Sequence, residues 1–159
     1  MIGKSRAAMR CVRAEDLPQL RSIYADAVGC VGPNSYSAEQ VKVWKGFSRA
    51  DAFAEFVLGV NTHVAVADKG VVGFCGISDD GHVASIYVKP GWLGKGIATG
   101  LLDEVMCRYP SPTSGRYYAE ASHFSLPLFE RCGFRRTGIE RVDRDGVVFE
   151  RFLVERGAG

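Results

Sequence analysis

Apolar residues recur along this chain with two periods, and the change from one to the other organises it. In CVRAEDLPQLRSIYADAVG a short β-rich run around Met9 to Arg13 gives way to an acidic start. Leu17, Leu20, Ile23, Tyr24 and Ala27 then repeat at helical spacing. In YSAEQVKVW, Ser37 and Gln40 stand at capping-box spacing, which predicts a second helix starting near Ala38, and RADAFAEFVLG predicts a further helical stretch. From Asn61 the period falls to that of strands. HVAVAD, VVGFCGIS and HVASIYVK are three β-rich runs separated by KG and DDG turn signals, an antiparallel meander.

Helical spacing returns at Ile97, Leu101, Leu102, Val105 and Met106 until YPSPTSG ends it. RYYAEAS then reads as a strand, SLPLFERCGF as a short helix ending at Gly133, and FRRTGIERV with GVVFERFLVER as a closing antiparallel pair. The pattern is mixed α+β around one mostly antiparallel sheet, with no repeat and no internal linker.

The segment GWLGKGIATGLL stands between the third strand of the meander and the helix after it, and it is dense in glycine. Bare amides there coincide with the unpaired N–H donors and positive dipole end of a helix N-terminus, an arrangement suited to phosphate or pyrophosphate. A flexible turn with no ligand is the plain alternative. Two nucleotide motifs fail on spacing. A dinucleotide fingerprint needs glycine or alanine where Thr99 stands, and a P-loop needs Lys and Ser or Thr where Ile97 and Ala98 stand.

DGHVASIYVKPGWLGKGIATGLLDEVM, followed by ASHFSLPLFERCGFRRTG, closely resembles the GNAT superfamily of acyl-CoA-dependent N-acyltransferases. The likeness runs over nearly the whole chain and implies a single domain over residues 1–159, with a mostly antiparallel central sheet flanked by helices. The family signature Q/R-x-x-G-x-G/A is matched by Leu93, Gly94, Lys95, Gly96, Ile97 and Ala98, with Leu93 in place of Gln or Arg. The resemblance implies acetyl-CoA as co-substrate, its pyrophosphate on the amides from Gly94 through Ala98 and Thr99. It further implies that Ile86, Tyr87 and Val88 pair their backbone with the pantetheine arm like an added strand.

Acyl transfer to an amine needs a neutral amine, a polarised thioester carbonyl and a proton for the departing thiolate. By resemblance, the Val88 N–H is the carbonyl donor, and the positions that hold pantetheine and supply the acid in many relatives are Ser122 and Phe129. Phe129 has no proton to give. Another donor, water or unaided departure of the thiolate must serve instead.

The base candidates are Glu120, on the strand flanking the groove, His123 and His82. Each has a structural alternative: a paired surface carboxylate, a helix-start residue and an exposed turn residue. Tyr36 and Trp44, near the mouth and on the body of the second helix, are candidates for acceptor binding, or else a staple and a core tryptophan.

Composition narrows the partners. Twenty Lys+Arg against eighteen Asp+Glu, with no long basic run, gives no reason to expect nucleic acid or an anionic membrane. No acidic cluster marks a polycationic acceptor. The longest apolar runs are strand-sized. MIGKSRAAMR has no apolar segment behind its basic residues, and five scattered cysteines fit reduced thiols in a cytoplasm, each a small core residue, with no metal site. The expected activity is acetyl transfer to a primary amine of a small molecule. A catalytically silent acyl-CoA sensor and a protein-directed acyltransferase are the alternatives, and a homodimer through VVFERFLV is open unless Arg151 blunts an exposed edge there.

Overall fold

The computed structural model describes residues 7–159. Residues 1–6, which include most of the stretch read for an export signal, lie outside the described residues.

The helical first third forms α1 (Leu17–Val31), α2 (Ala38–Gly46) and α3 (Ala52–Leu58) behind a short β1 (Ala8–Cys11). The first strand stops two residues earlier than the pattern predicts. The Arg13 N–H turns to the Asp16 carboxylate at 2.8 Å, and Arg10 grips both oxygens of Asp16 at 2.8 and 2.9 Å, so the chain bends into the first helix. The capping box of α2 is present as the sequence predicts: Gln40 N–H donates to Ser37 Oγ at 3.1 Å and Ser37 N–H to Gln40 Oε1 at 2.8 Å.

The meander is β2 (Asn61–Ala67), β3 (Gly70–Ile77) and β4 (Val83–Val88), and with β1 it makes a four-stranded antiparallel sheet in the order β1-β2-β3-β4. After α4 (Ile97–Arg108) come β5 (Arg116–Ala121), α5 (Leu126–Arg131), β6 (Arg135–Arg144) and β7 (Val147–Gly157). Gly133, at φ +88°, turns the chain out of α5 where the sequence places the stop.

The last three strands form a second antiparallel sheet in the order β5-β7-β6. The strands therefore divide into two sheets rather than one. Their link is a parallel bridge between His82 and Tyr118, with Tyr118 N–H donating to Gly81 O at 3.0 Å, and beyond it β4 and β5 share no ladder.

β7 is the middle strand of its sheet, paired with β6 along Val147–Glu155 and with β5 over Phe152–Gly157, so within VVFERFLV the edge that faces away from β6 is covered by β5 only from Phe152 onward. Arg151, at the end of that uncovered run, is bonded to Glu140 of the neighbouring β6. The cysteines also depart from expectation: Cys75 is buried, but Cys11, Cys30 and Cys107 are exposed and Cys132 is intermediate. Cys107 belongs to the outer face of α4, because the inward positions are taken by Leu101, Leu102, Val105 and Met106.

Two apolar clusters hold the layers. Ile97, Leu101, Leu102 and Val105 of α4 pack with Phe129 and Phe134 against one side of the sheets. Leu20, Ile23, Tyr24 and Val28 of α1 pack with Phe53, Val57, Val64 and Phe74 on the other. Each fully buried large side chain, such as Leu20 or Phe74, contributes roughly 1.5–3 kcal/mol relative to exposure. Among the described residues no helix is long and apolar enough to cross a membrane.

Candidate active site

Where β4 and β5 part, the cleft between them joins a cavity of about 1470 Å³ bounded by α1, α2, α4 and the β6–β7 hairpin. A volume of that size exceeds the roughly 300–1,000 Å³ of an ordinary single-ligand pocket.

The turn before α4 lies at one mouth of it. Gly94 and Gly96 adopt φ of +74° and +79°, a left-handed backbone that side chains disfavour, and a Cβ on either would meet nothing within 4 Å. No side chain caps α4. Its first intrahelical bond to Gly96 comes only at Gly100 N–H, so the amides of Ile97, Ala98 and Thr99 have no intrahelical partner.

The register of β4 decides which of its amides face the cleft. Lys89 N–H donates to Val72 O of β3 at 2.7 Å, and the pairing continues with Tyr87 opposite Phe74. Alternate residues of a strand send their N–H groups to opposite sides. Tyr87 therefore spends its backbone on β3, while Ile86 and Val88 turn theirs to the cleft. Of the three residues expected to pair with a cofactor arm, two have the backbone to do so, and Tyr87 contributes its ring instead.

Glu120 and His82 meet across the narrow end of the split at 2.5 Å, Oε2 to Nε2, both side chains partly exposed to the cavity. The hydrogen bond from His82 holds Glu120 below the usual carboxylate range, against the opposing effect of burial. The pair is braced from beneath. The His82 ring stacks on Tyr118, with centroids 5.0 Å apart, and the Tyr118 hydroxyl donates to Asp80 Oδ2 at 2.5 Å. Bonds from Ser78 and Tyr118 take Asp80 down to about 2, and the same bond pushes Tyr118 up to about 12.

At the C-terminal end of β5, Ser122 is engaged locally: its Oγ accepts from Ser125 N–H at 3.0 Å, and its own N–H donates to Ser125 Oγ at 2.9 Å. His123 packs edge-on against Phe152 at 4.9 Å, and its N–H donates to the Tyr36 hydroxyl at 3.0 Å. Tyr36 precedes α2 rather than standing on it, and its ring meets that of Trp44 edge-to-face at 5.2 Å. Phe129 is buried against Phe134, with ring centroids 5.0 Å apart.

All the residues singled out from the sequence line this one cavity except Lys95, whose ammonium lies 5.8 Å over the Trp92 ring. Sequence reasoning passed over Tyr24, Phe47, Phe149 and Arg144, which also line it. Tyr24 sat in the helical apolar stripe and looked like core, and Arg144 sat in a polar hairpin end with no local pattern to distinguish it.

A family profile for the acetyltransferase (GNAT) domain matches residues 33–154, more than half of the chain. The chain belongs to the GNAT acetyltransferases. Among its relatives is the Escherichia coli K12 protein YafP, named an uncharacterized N-acetyltransferase, at 26% identity over 139 residues, or 87% of this chain and 88% of that one. The GNAT fold is shared with a GCN5-related N-acetyltransferase structure from Rhodopseudomonas palustris, at TM-score 0.92 and 22% identity over 99% of both chains. It is shared too with PaiA N-acetyltransferase of Thermoplasma acidophilum solved with coenzyme A, at TM-score 0.73 and 18% identity, covering 96% of this chain and 99% of that one. For a GNAT domain the uncapped start of α4 and the parted strands make a continuous donor-lined path, which fits a phosphorylated cofactor with an extended arm.

Proposed function

We propose that this GNAT domain moves an acetyl group from acetyl-CoA directly to the primary amine of a small molecule. The observation that carries the reading is the convergence on one cavity of an uncapped helix start, a cleft-facing Val88 N–H and the Glu120–His82 pair. The coenzyme A bound to the PaiA relative supports the choice of cofactor.

Acetyl-CoA, when bound, supplies an acyl group activated as a thioester. In this reading the amides of Ile97, Ala98 and Thr99, with Gly94 and Gly96 leaving the approach open, hold its diphosphate. Ile86 pairs with the arm, and Ser122 borders it. Val88 N–H donates to the carbonyl oxygen, where negative charge grows as the amine adds.

Glu120, kept ionised by His82, takes the proton the amine must lose, directly or through one water. His123 acts through its backbone, fixing the Tyr36 hydroxyl beside Ser122, rather than as a second base. Phe129 supplies no proton to sulfur, so the thiolate leaves either unaided or with a proton from water, as a thiol of pKa near 8.5 allows at neutral pH. Tyr36 and Trp44 wall the acceptor side.

Phe129 is also the observation that favours a silent acyl-CoA sensor, and turnover separates the two. Purified protein is mixed with acetyl-CoA and a panel of primary amines, and free thiol is followed. Release above background hydrolysis with a small amine is expected. Coenzyme A binding with no release from any amine or amine-bearing peptide leaves the sensor, and release with peptides alone leaves a protein acceptor.

A further inference from the structure

One arm of the cavity has a composition that acetyl transfer itself does not require. Its floor is aromatic: Tyr24 from α1 and Tyr87 from β4 lie with ring centroids 4.5 Å apart, and the Trp44 indole faces both hydroxyls. Tyr24 is 4% exposed, yet neither hydroxyl has a backbone partner among the described residues.

Two positions from Tyr87 on the same face of β4, Ser85 borders the cavity, but its hydroxyl is itself buried beside Gly76 of β3. It has no hydrogen-bond partner.

The opposite wall comes from the far end of the chain. The β6–β7 hairpin turns tightly at Asp145 and Gly146, φ +53° and +81°, and is tied down over α2 by Gln40 Nε2 donating to Val148 O at 3.0 Å. That hairpin brings Arg144 into the cavity lining. Arg144 makes no ion pair among the described residues, whereas its neighbours Arg141 and Arg151 pair with Glu150 and Glu140. Arg144 is itself exposed and lines the same cavity as Tyr24, Tyr87 and Trp44. Other charged groups line the cavity too, and of these Glu120, Glu150 and Arg151 are already committed to His82, Arg141 and Glu140.

We infer that the acceptor is a primary amine with a flat apolar body that also carries a carboxylate. Arg144 binds the carboxylate, and Tyr24, Tyr87 and Trp44 hold the body. Arg144 is thus the residue that separates an amino acid from its decarboxylated amine. A guanidinium suits this because its donors match both carboxylate oxygens and its charge persists at any physiological pH. The inference rests on the acetyl-transfer reading above.

The test compares kcat/KM within two pairs of amines: L-phenylalanine against phenethylamine, and 4-(aminomethyl)benzoate against benzylamine. The first puts the carboxylate beside the amine and the second places it across the ring. In at least one pair the acid is expected to be preferred by about tenfold to a hundredfold, the span of a charged hydrogen bond. Arg144→Ala should lower kcat/KM for the acid by that factor more than for its partner, and Arg144→Lys should restore part of it. Arg141→Ala, on the same strand but paired and outside the cavity, should leave the ratio in place.

The inference is overturned if neither acid is preferred, if Arg144→Ala keeps the preference, or if Arg141→Ala erases it equally. Those results leave acetyl transfer standing. Coenzyme A binding with no turnover of any amine overturns acetyl transfer as well.

Discussion

Replacing Gly96 with alanine isolates the diphosphate-binding role of the turn. Gly96 sits at φ +79°, and a Cβ built there meets nothing within 4 Å, so the substitution creates no clash inside the protein. The folding cost is the left-handed backbone alone, about 1–2 kcal/mol for a residue with a Cβ. For a chain of this size that corresponds to a fall in Tm of about 2–8 °C. The open space that makes the change harmless to the fold is the space an anion needs in order to reach the amides of Ile97 to Thr99. Each phosphate hydrogen bond pushed out of reach costs about 1.5–3 kcal/mol, so Kd for coenzyme A should rise about tenfold to a hundredfold for one bond lost.

Gly146 is a matched control. It has φ +81° and an equally empty surrounding, but it lies in the β6–β7 turn far along the chain from α4. Gly146→Ala should lose the same stability and bind coenzyme A as before. Titration calorimetry gives Kd for each protein, and thermal melts with and without coenzyme A give the stability difference and the ligand-induced rise in Tm. An unchanged Kd in Gly96→Ala, with Tm lowered as expected, refutes the diphosphate assignment. Equal weakening in Gly146→Ala refutes it too, by showing that the effect is global.

Other expected outcomes concern the chemistry and the fold. Glu120→Gln should lower kcat by about 10²–10⁴-fold while coenzyme A affinity holds, measured by thiol release and calorimetry; full activity sinks the base assignment. Because His82 holds Glu120 low, the carboxylate stays in its basic form until pH falls below the ordinary Glu value of about 4.3, and His82→Ala should move that limb of the pH–kcat profile upward. A limb that stays put removes the pair from the mechanism. Val88→Pro deletes a donor that no strand uses, together with a core side chain that Val88→Ala also removes, so kcat should fall by about 10²–10³-fold more in the proline variant than in the alanine one, with the fold of each checked by circular dichroism; equal kcat in the two removes Val88 as the carbonyl donor.

Asp16→Asn should cost about 1.5–3 kcal/mol at neutral pH in urea unfolding, since it breaks the paired bonds to Arg10. The Arg10 bond lowers the folded carboxyl below the unfolded value of about 3.9. Its contribution is therefore complete above that pH and lost as pH falls through the folded value, where variant and wild type should converge. A stability gap that persists in strong acid would contradict that account.

The local elements were legible because local forces set them. The capping box at Ser37 and Gln40, the meander from Asn61, the glycine turn into α4 and the stop at Gly133 each depend on a few neighbouring residues whose backbone preferences agree. The family signature was legible for the same reason, since it lies within one contiguous turn.

What stayed hidden depends on parts distant in sequence. Whether β4 and β5 join or part is not written in either strand, and it was the split that gave two sheets instead of one and put β7 in the middle of the second. The pairing of His82 with Glu120 and the arrival of Arg144 in the same cavity as Tyr24 and Tyr87 follow from register and from where a hairpin lands. Sequence fixed the pieces that short-range hydrogen bonds and hydrophobic period can specify. Only tertiary packing decided which of their side chains face one another, because that is a property of long-range contacts.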